Sequence, residues 1–146
     1  MPHDNAELVR AAIVAVNETY RTGELDPWRR HVEATFDPAV VLEFGSGTFT
    51  EGEWRGIEGA VGFVGNQMDV LEGMWTRAEE VIEVDDDCIV VPLSFGGTAR
   101  HTGIEVELSP AHLFRLRDGR VVRWQIFRTR EEALAAAGHG AGGANG

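Results

Sequence analysis

The chain has 146 residues, of which 43% are hydrophobic and 25% charged, and its formal net charge is −11 at pH 7. These values are typical of one globular domain and exclude a disordered or collagen-like chain. The negative charge argues against binding to nucleic acid or to an anionic membrane surface. The sequence has no run of roughly 20 apolar residues for a membrane span, no secretory signal pattern and only one cysteine, Cys88. We therefore expect a cytoplasmic protein.

Hydrophobic spacing predicts three helices and one strand in the first half of the chain. Apolar residues recur every three or four positions over 6–20, 25–36 and 57–71, which is the period of a helix with one buried face. Residues 40–44 form an apolar run typical of a strand, and the segment GSGTFTEGEWRG that follows is predicted to be a loop.

The third predicted helix carries a line of glycines at positions 59, 62 and 65. Each of them weakens a helix by about 1 kcal/mol relative to alanine. We therefore expect either a closely packed neighbouring backbone at this line or tertiary contacts that hold an intrinsically poor helix.

After Gly73 the hydrophobic pattern alternates with period two, which predicts an antiparallel meander. The predicted strands cover 75–84, 88–100, 103–117 and 120–130. Asp118-Gly119 is a strong hairpin signal, and Asp85-Asp86-Asp87 marks another turn. A short helix over 131–137 closes a single domain of residues 1–137, and the Gly-rich tail 138–146 is expected to be disordered. The order of elements predicts an α+β fold in which helices cover one face of a curved, mostly antiparallel sheet, whose open end can admit a ligand.

His112 is the one polar residue on the otherwise apolar even-numbered face of the strand 104–116. If no bulge shifts the register, its side chain points into the interior, although Pro110 makes a bulge or a sheet edge conceivable. A neutral histidine there is a competent general base, and Arg128 could hold a carboxylate or a developing anion beside it. The alternatives are a hydrogen-bonded core histidine and a solvated arginine at the end of a strand.

The pairing of the last two strands leaves a conflict of parity. A tight turn at Asp118-Gly119 pairs Arg117 with Arg120. Counting outward from that pair places His112 opposite Gln125 and Leu113 opposite Trp124. His112 and Trp124 then share a face only if the hairpin contains a bulge.

The predicted catalytic pair is His112 and Arg128, and no cofactor is expected. The five histidines show no metal-ligand spacing, so no metal site is predicted. Glu80 falls on the apolar register of its strand and could pair with Arg128, or lie on an edge strand for solubility. The predicted pocket lining is Tyr20, Trp28, Phe44, Val64, Met68, Phe114, Trp124 and Glu80.

Three runs, EGEWRGIEGAVGF, VELSPAHLFRLRDGRVVRW and FRTREEALAAAG, occur in an order and spacing that resemble a SnoaL-like protein of the nuclear transport factor 2-like superfamily. The resemblance covers about residues 5–138. It implies a cone-shaped α+β barrel with three N-terminal helices, a deep hydrophobic pocket and a homodimer packed through the outer sheet surface. It also implies cofactor-independent acid/base chemistry, as in polyketide cyclases, isomerases and epoxide hydrolases, and His112 lies on a strand where such cyclases keep a histidine.

The sequence departs from the cyclases at the end of the last strand. These cyclases carry an aspartate there, whereas this chain has Arg128, Thr129 and Arg130. Two functions therefore remain open: a small-molecule enzyme acting on a hydrophobic metabolite, and a non-catalytic small-molecule-binding or dimerisation module. A third option is a protein-interaction module that exposes Leu113 and Phe127 on the outer sheet.

Overall fold

Four helices lie around a curved sheet. The structure is a computed structural model that describes residues 4–44 and 53–142, with side chains up to residue 138. The helices are α1 (Asn5–Thr22), α2 (Asp26–Thr35), α3 (Gly56–Val70) and α4 (Arg130–Gly142). In the described ranges, no helix is both long and apolar enough to span a bilayer.

The described strands form one mixed sheet. They are β1 (Phe36–Phe44), β2 (Glu53–Arg55), β3 (Leu71–Ala78), β4 (Ile82–Asp85), β5 (Cys88–Ala99), β6 (Glu105–Leu108), β7 (Ala111–Arg117) and β8 (Arg120–Phe127). Their order is β2-β1-β8-β7-β5-β3, and β4 and β6 pair with β5. Only β1 and β8 run parallel among these pairs. The predicted α+β fold with helices packed on a curved, mostly antiparallel sheet is confirmed.

Two predicted long strands are each divided in two. The predicted strand 75–84 is β3 and β4, and the predicted strand 103–117 is β6 and β7. Pro110 lies at the second break, where it has no N–H to donate while its carbonyl accepts from the Leu93 N–H at 3.0 Å. The alternation of the sequence continues through this break, and β6 and β7 pair with β5 in the same register on either side of it. In addition, β2 lies within the segment predicted as a loop, of which residues 45–52 fall outside the described residues.

The glycine line of α3 permits a close approach by β2. A Cβ atom on Gly59 would lie 2.9 Å from the carbonyl carbon of Trp54, and one on Gly62 would lie 3.6 Å from the Trp54 ring. The first distance is shorter than real Cβ contacts, so only glycine fits at position 59. Of the two expectations for the glycine line, the structure therefore confirms the closely packed neighbouring backbone.

A second, smaller core lies on the outer face of the sheet beneath α4. Cys88, Ala111 and Leu113 are fully buried there against Ala133 and Ala137. The prediction that Leu113 is exposed on an interaction surface is therefore wrong, because α4 covers it, and Phe127 packs at the edge of the same cluster. The helix also runs to Gly142, past the predicted end at 137 and into the segment expected to be disordered, while 143–146 lie outside the described residues.

A bulge in the β7–β8 hairpin resolves the parity conflict. Arg117 pairs with Arg120 as predicted, but the register shifts between Arg115 and Leu116. Phe114 then lies opposite Trp124, and His112 lies opposite Ile126 instead of Gln125. Since directly opposed residues point to the same face of a sheet, His112, Phe114 and Trp124 all face the helices.

Candidate functional site

A cavity of about 440 Å³ lies between the helices and the inner face of the sheet. Six of the predicted lining residues do line it: Tyr20, Trp28, Phe44, Val64, Phe114 and Trp124. Other apolar side chains of the wall include Ile13, Val16, Phe63, Met74, Leu93, Phe95 and Ile126. A mostly apolar cavity of this size is typical of a site for a small organic molecule.

The polar part of the described lining is small and contains no carboxylate. It consists of Tyr20, Gln67, Thr76, Ser109, His112 and Arg128. The described residues also contain no group of three potential metal-ligating side chains. The chemistry of this wall is therefore that of neutral hydrogen-bonding groups with one arginine.

His112 is held by a hydrogen bond from the neighbouring strand. The indole Nε1–H of Trp124 donates to Nδ1 of His112 at 2.9 Å. Burial lowers the pKa of His112 from 6.5 to about 3, so the ring is neutral at physiological pH. A neutral imidazole whose Nδ1 accepts a hydrogen bond carries its proton on Nε2. The ring thus offers the cavity an N–H donor, and the lone pair of Nδ1 is already used by Trp124.

Aromatic packing fixes the Trp124 ring that holds His112. Trp124 stacks on Phe114 with 5.8 Å between ring centroids, and Phe63 meets it edge-on at 5.7 Å. Trp28 contacts the same indole at 5.8 Å. The Trp28 Nε1–H donates to the Ala60 carbonyl at 3.0 Å, which connects α2 to α3. Because three rings enclose Trp124, its N–H is oriented toward His112 before any ligand enters.

Arg128 lies in the lining without contacting His112. Its guanidinium makes an ion pair with Glu132 at 3.1 Å, and its side chain is 56% exposed. The expectation of a buried imidazole beside a guanidinium is therefore wrong: burial, and not Arg128, lowers the pKa of His112.

Two predicted lining residues lie elsewhere. Glu80 is exposed between β3 and β4 and pairs with Arg130 at 3.1 Å, not with Arg128, because the predicted strand 75–84 is broken at its position. Met68 packs against the core, and its carbonyl accepts from Nε of Arg100 at 2.9 Å. The preceding residue, Gln67, faces the cavity in its place.

Two contacts fix the polar groups at the wall of α1 and β3. Asn17 accepts from the Thr76 N–H at 2.8 Å and donates to the Thr76 carbonyl at 2.7 Å. Tyr20 lines the same wall, and burial raises the pKa of its hydroxyl well above its usual value. Tyr20 therefore stays protonated.

Gln67 is a buried polar lining residue that sequence reasoning missed. It is only 5% exposed, and it lies three residues after Val64 and four before Leu71. This spacing places it on the same helical stripe as those apolar residues. A polar residue on an apolar stripe was the signal that could have identified it.

Sequence comparison identifies the family. A model of the SnoaL-like domain matches residues 13–124. The chain belongs to the SnoaL-like family. Among curated proteins, none matches significantly.

Solved structures with the same fold cover most of the chain. A candidate SnoaL-like polyketide cyclase from Jannaschia sp. CCS1 is 24% identical, with a TM-score of 0.68 over 91% of this chain and 90% of that one. An NTF2-like protein of unknown function from Burkholderia pseudomallei is 22% identical, with a TM-score of 0.67 over 91% and 96%. TerC, co-crystallized with polyporic acid, is 21% identical, with a TM-score of 0.63 over 88% and 95%. At these identities the likeness shows the NTF2-like fold.

Proposed function

We propose that this SnoaL-like protein binds a hydrophobic small molecule whose carbonyl or similar oxygen accepts a hydrogen bond from Nε2–H of His112. The observation that carries the proposal is the 2.9 Å hydrogen bond from Trp124 to Nδ1, because it leaves the only ring proton on Nε2. The apolar wall and the volume of about 440 Å³ support a ligand of a few fused or linked rings. An acceptor oxygen in such a site replaces water at an N–H donor that is otherwise costly to desolvate.

A second candidate is cofactor-independent enzyme chemistry of the cyclase, isomerase or epoxide-hydrolase type. An N–H donor in an apolar site stabilises the negative charge that develops on a carbonyl oxygen as an enolate forms. In this scheme His112 is the electrophile that donates a hydrogen bond to the substrate oxygen. It is not the general base predicted from sequence, because its Nδ1 lone pair is occupied by Trp124 and its pKa is low. The described lining has no Asp or Glu to accept the proton, which favours ligand binding over this candidate.

The binding proposal is tested with 2-acetylnaphthalene and 2-ethylnaphthalene, which share the naphthalene ring and a two-carbon substituent, while only the ketone has a carbonyl oxygen. Calorimetry is expected to show that the wild type binds the ketone about tenfold more tightly, equivalent to one hydrogen bond of about 1.4 kcal/mol. The variant H112N keeps an oxygen acceptor where Nδ1 was but lacks Nε2, so the preference disappears. The variant H112Q carries an amide nitrogen near the Nε2 position, so part of the preference remains. Equal preference in the wild type and in H112N would overturn the proposal.

2-Acetylnaphthalene also distinguishes an enolising enzyme from a non-catalytic binding module. An enolising enzyme exchanges the methyl protons of 2-acetylnaphthalene for deuterium in D2O faster than buffer alone, which proton NMR follows directly. H112N is expected to lose that acceleration. Tight binding of the ketone with exchange at the buffer rate would exclude this enolisation chemistry and leave the binding module.

Homodimerisation stays a proposal, as does the cytoplasmic location. The outer face beneath α4 is already buried at Leu113, so we infer that a dimer through the sheet uses positions beyond α4, around the ion pair of Arg123 and Glu43. Light scattering that gives a mass of one chain, 16.0 kDa, would exclude the dimer.

A further inference from the structure

Gln67 is a buried polar side chain that the contacts of the fold do not explain. It lies on α3, it is 5% exposed and it lines the cavity. Among the residues that the structure describes, none makes a hydrogen bond to its side-chain amide. The amide atoms are not enclosed by protein, since the fully enclosed side-chain atoms without a partner in the described part of the chain are Asn5 Oδ1 and His31 Nε2. The amide of Gln67 therefore faces the space of the cavity, where a polar group of a ligand can replace water.

The polar groups that join α1 to β3 already have partners. The Asn17 side chain makes two hydrogen bonds to the Thr76 backbone. Gln67 differs from Asn17 because its amide group, with one acceptor and two donors, is left for whatever fills the cavity.

Gln67 and His112 approach the cavity from different walls. His112 comes from β7 and accepts a hydrogen bond from Trp124, and Phe63 on α3 meets the same Trp124 ring edge-on. Gln67 follows Phe63 by four residues, which places it one helical turn along on the same face of α3. An apolar framework that touches Trp124 and Phe63 therefore lies between a donor on the sheet and an amide on the helix.

We propose that Gln67 binds a second oxygen function of the same ligand, so that the cavity takes an aromatic or alicyclic compound with oxygen atoms on two sides of an apolar framework. A hydroxyl group fits this position best, because an amide can donate to it and accept from it at once. This inference rests on the proposed function, since it assigns the partner of His112 and the partner of Gln67 to one molecule.

The test uses hydroxyl derivatives of the same ketone. The 5-, 6- and 7-hydroxy derivatives of 2-acetylnaphthalene are compared with the corresponding methyl derivatives, which have nearly the same shape. The wild type is expected to bind at least one hydroxy compound about tenfold more tightly than its methyl counterpart. The variant Gln67→Met, which has a side chain of similar length without the amide, is expected to bind the two equally. Gln67→Leu serves as a second variant, and Val70→Ala, at a 42% exposed position of the same helix outside the cavity lining, is expected to keep the hydroxyl preference.

The outcomes separate the two proposals. If Gln67→Met keeps the hydroxyl preference, or the wild type shows none at any of the three positions, Gln67 has no such role. In that case a persisting preference for the ketone over 2-ethylnaphthalene leaves the proposed function intact. If the wild type binds none of these compounds, both proposals fail. H112N is expected to lose the ketone preference and to keep the hydroxyl preference, which a general loss of structure could not produce.

Discussion

The buried His112 makes the stability of this protein depend on pH. A single substitution of this residue removes that contribution. Its pKa is 6.5 in the unfolded chain and about 3 in the folded protein, because burial disfavours the charged ring. The unfolded state therefore binds the proton more readily, and the stability that the neutral ring allows is lost as the pH falls below 6.5. This loss of stability is nearly complete only when the pH reaches the pKa of the folded protein, about 3.

The size of this effect follows from the two pKa values. Between pH 7.5 and pH 5.5, protonation of the unfolded chain lowers the free energy of unfolding by about 1.4 kcal/mol. The pKa of His112 in the folded protein has almost no effect on this difference, because at pH 5.5 the folded ring is still neutral. We restrict the range to pH 5.5 because the isoelectric point is 4.8 and solubility falls near it.

Urea unfolding of the wild type and of H112N at both pH values measures the effect. The asparagine retains an acceptor for the Trp124 N–H but does not titrate, so the carboxylates and His31 contribute equally to both proteins. The wild type is expected to lose about 1.4 kcal/mol more than H112N, equivalent to a shift of roughly 0.5–1 M in the urea midpoint. Equal losses in the two proteins would show that His112 is not buried as a neutral ring.

Three further substitutions and one exposed control test the wall, the outer core and the exposed arginine. Asn17→Ala removes both hydrogen bonds to Thr76 and leaves that backbone unpaired, so chemical unfolding is expected to show a loss of about 1–3 kcal/mol. Leu113→Ala is expected to cost about 2–5 kcal/mol because α4 buries the side chain fully, whereas Val14→Ala, at a 69% exposed position, should change stability by less than about 0.5 kcal/mol. Arg128→Gln removes only an exposed ion pair and is expected to shift the melting temperature very little; a large destabilisation would place Arg128 in the interior after all.

The order of the helices and strands could be predicted from the sequence because it depends on local periodicity. The stripes of α1 to α3 indicated the general side of each helix that is buried, and the hairpin turn at Asp118-Gly119 was placed correctly. Even the close approach at Gly59 was one of two expectations from the glycine spacing. The family resemblance added the fold from the order of these elements.

The site itself depended on contacts that no local pattern records. The bulge after Arg115 decides that His112 and Trp124 share a face, and the indole hydrogen bond then decides which imidazole nitrogen carries the proton. A rotation of α3 by one position decides that Gln67, and not Met68, reaches the cavity. Periodicity constrains which side of an element is buried, whereas register shifts, helix rotation and ion-pair partners are settled by the packing of distant elements against each other.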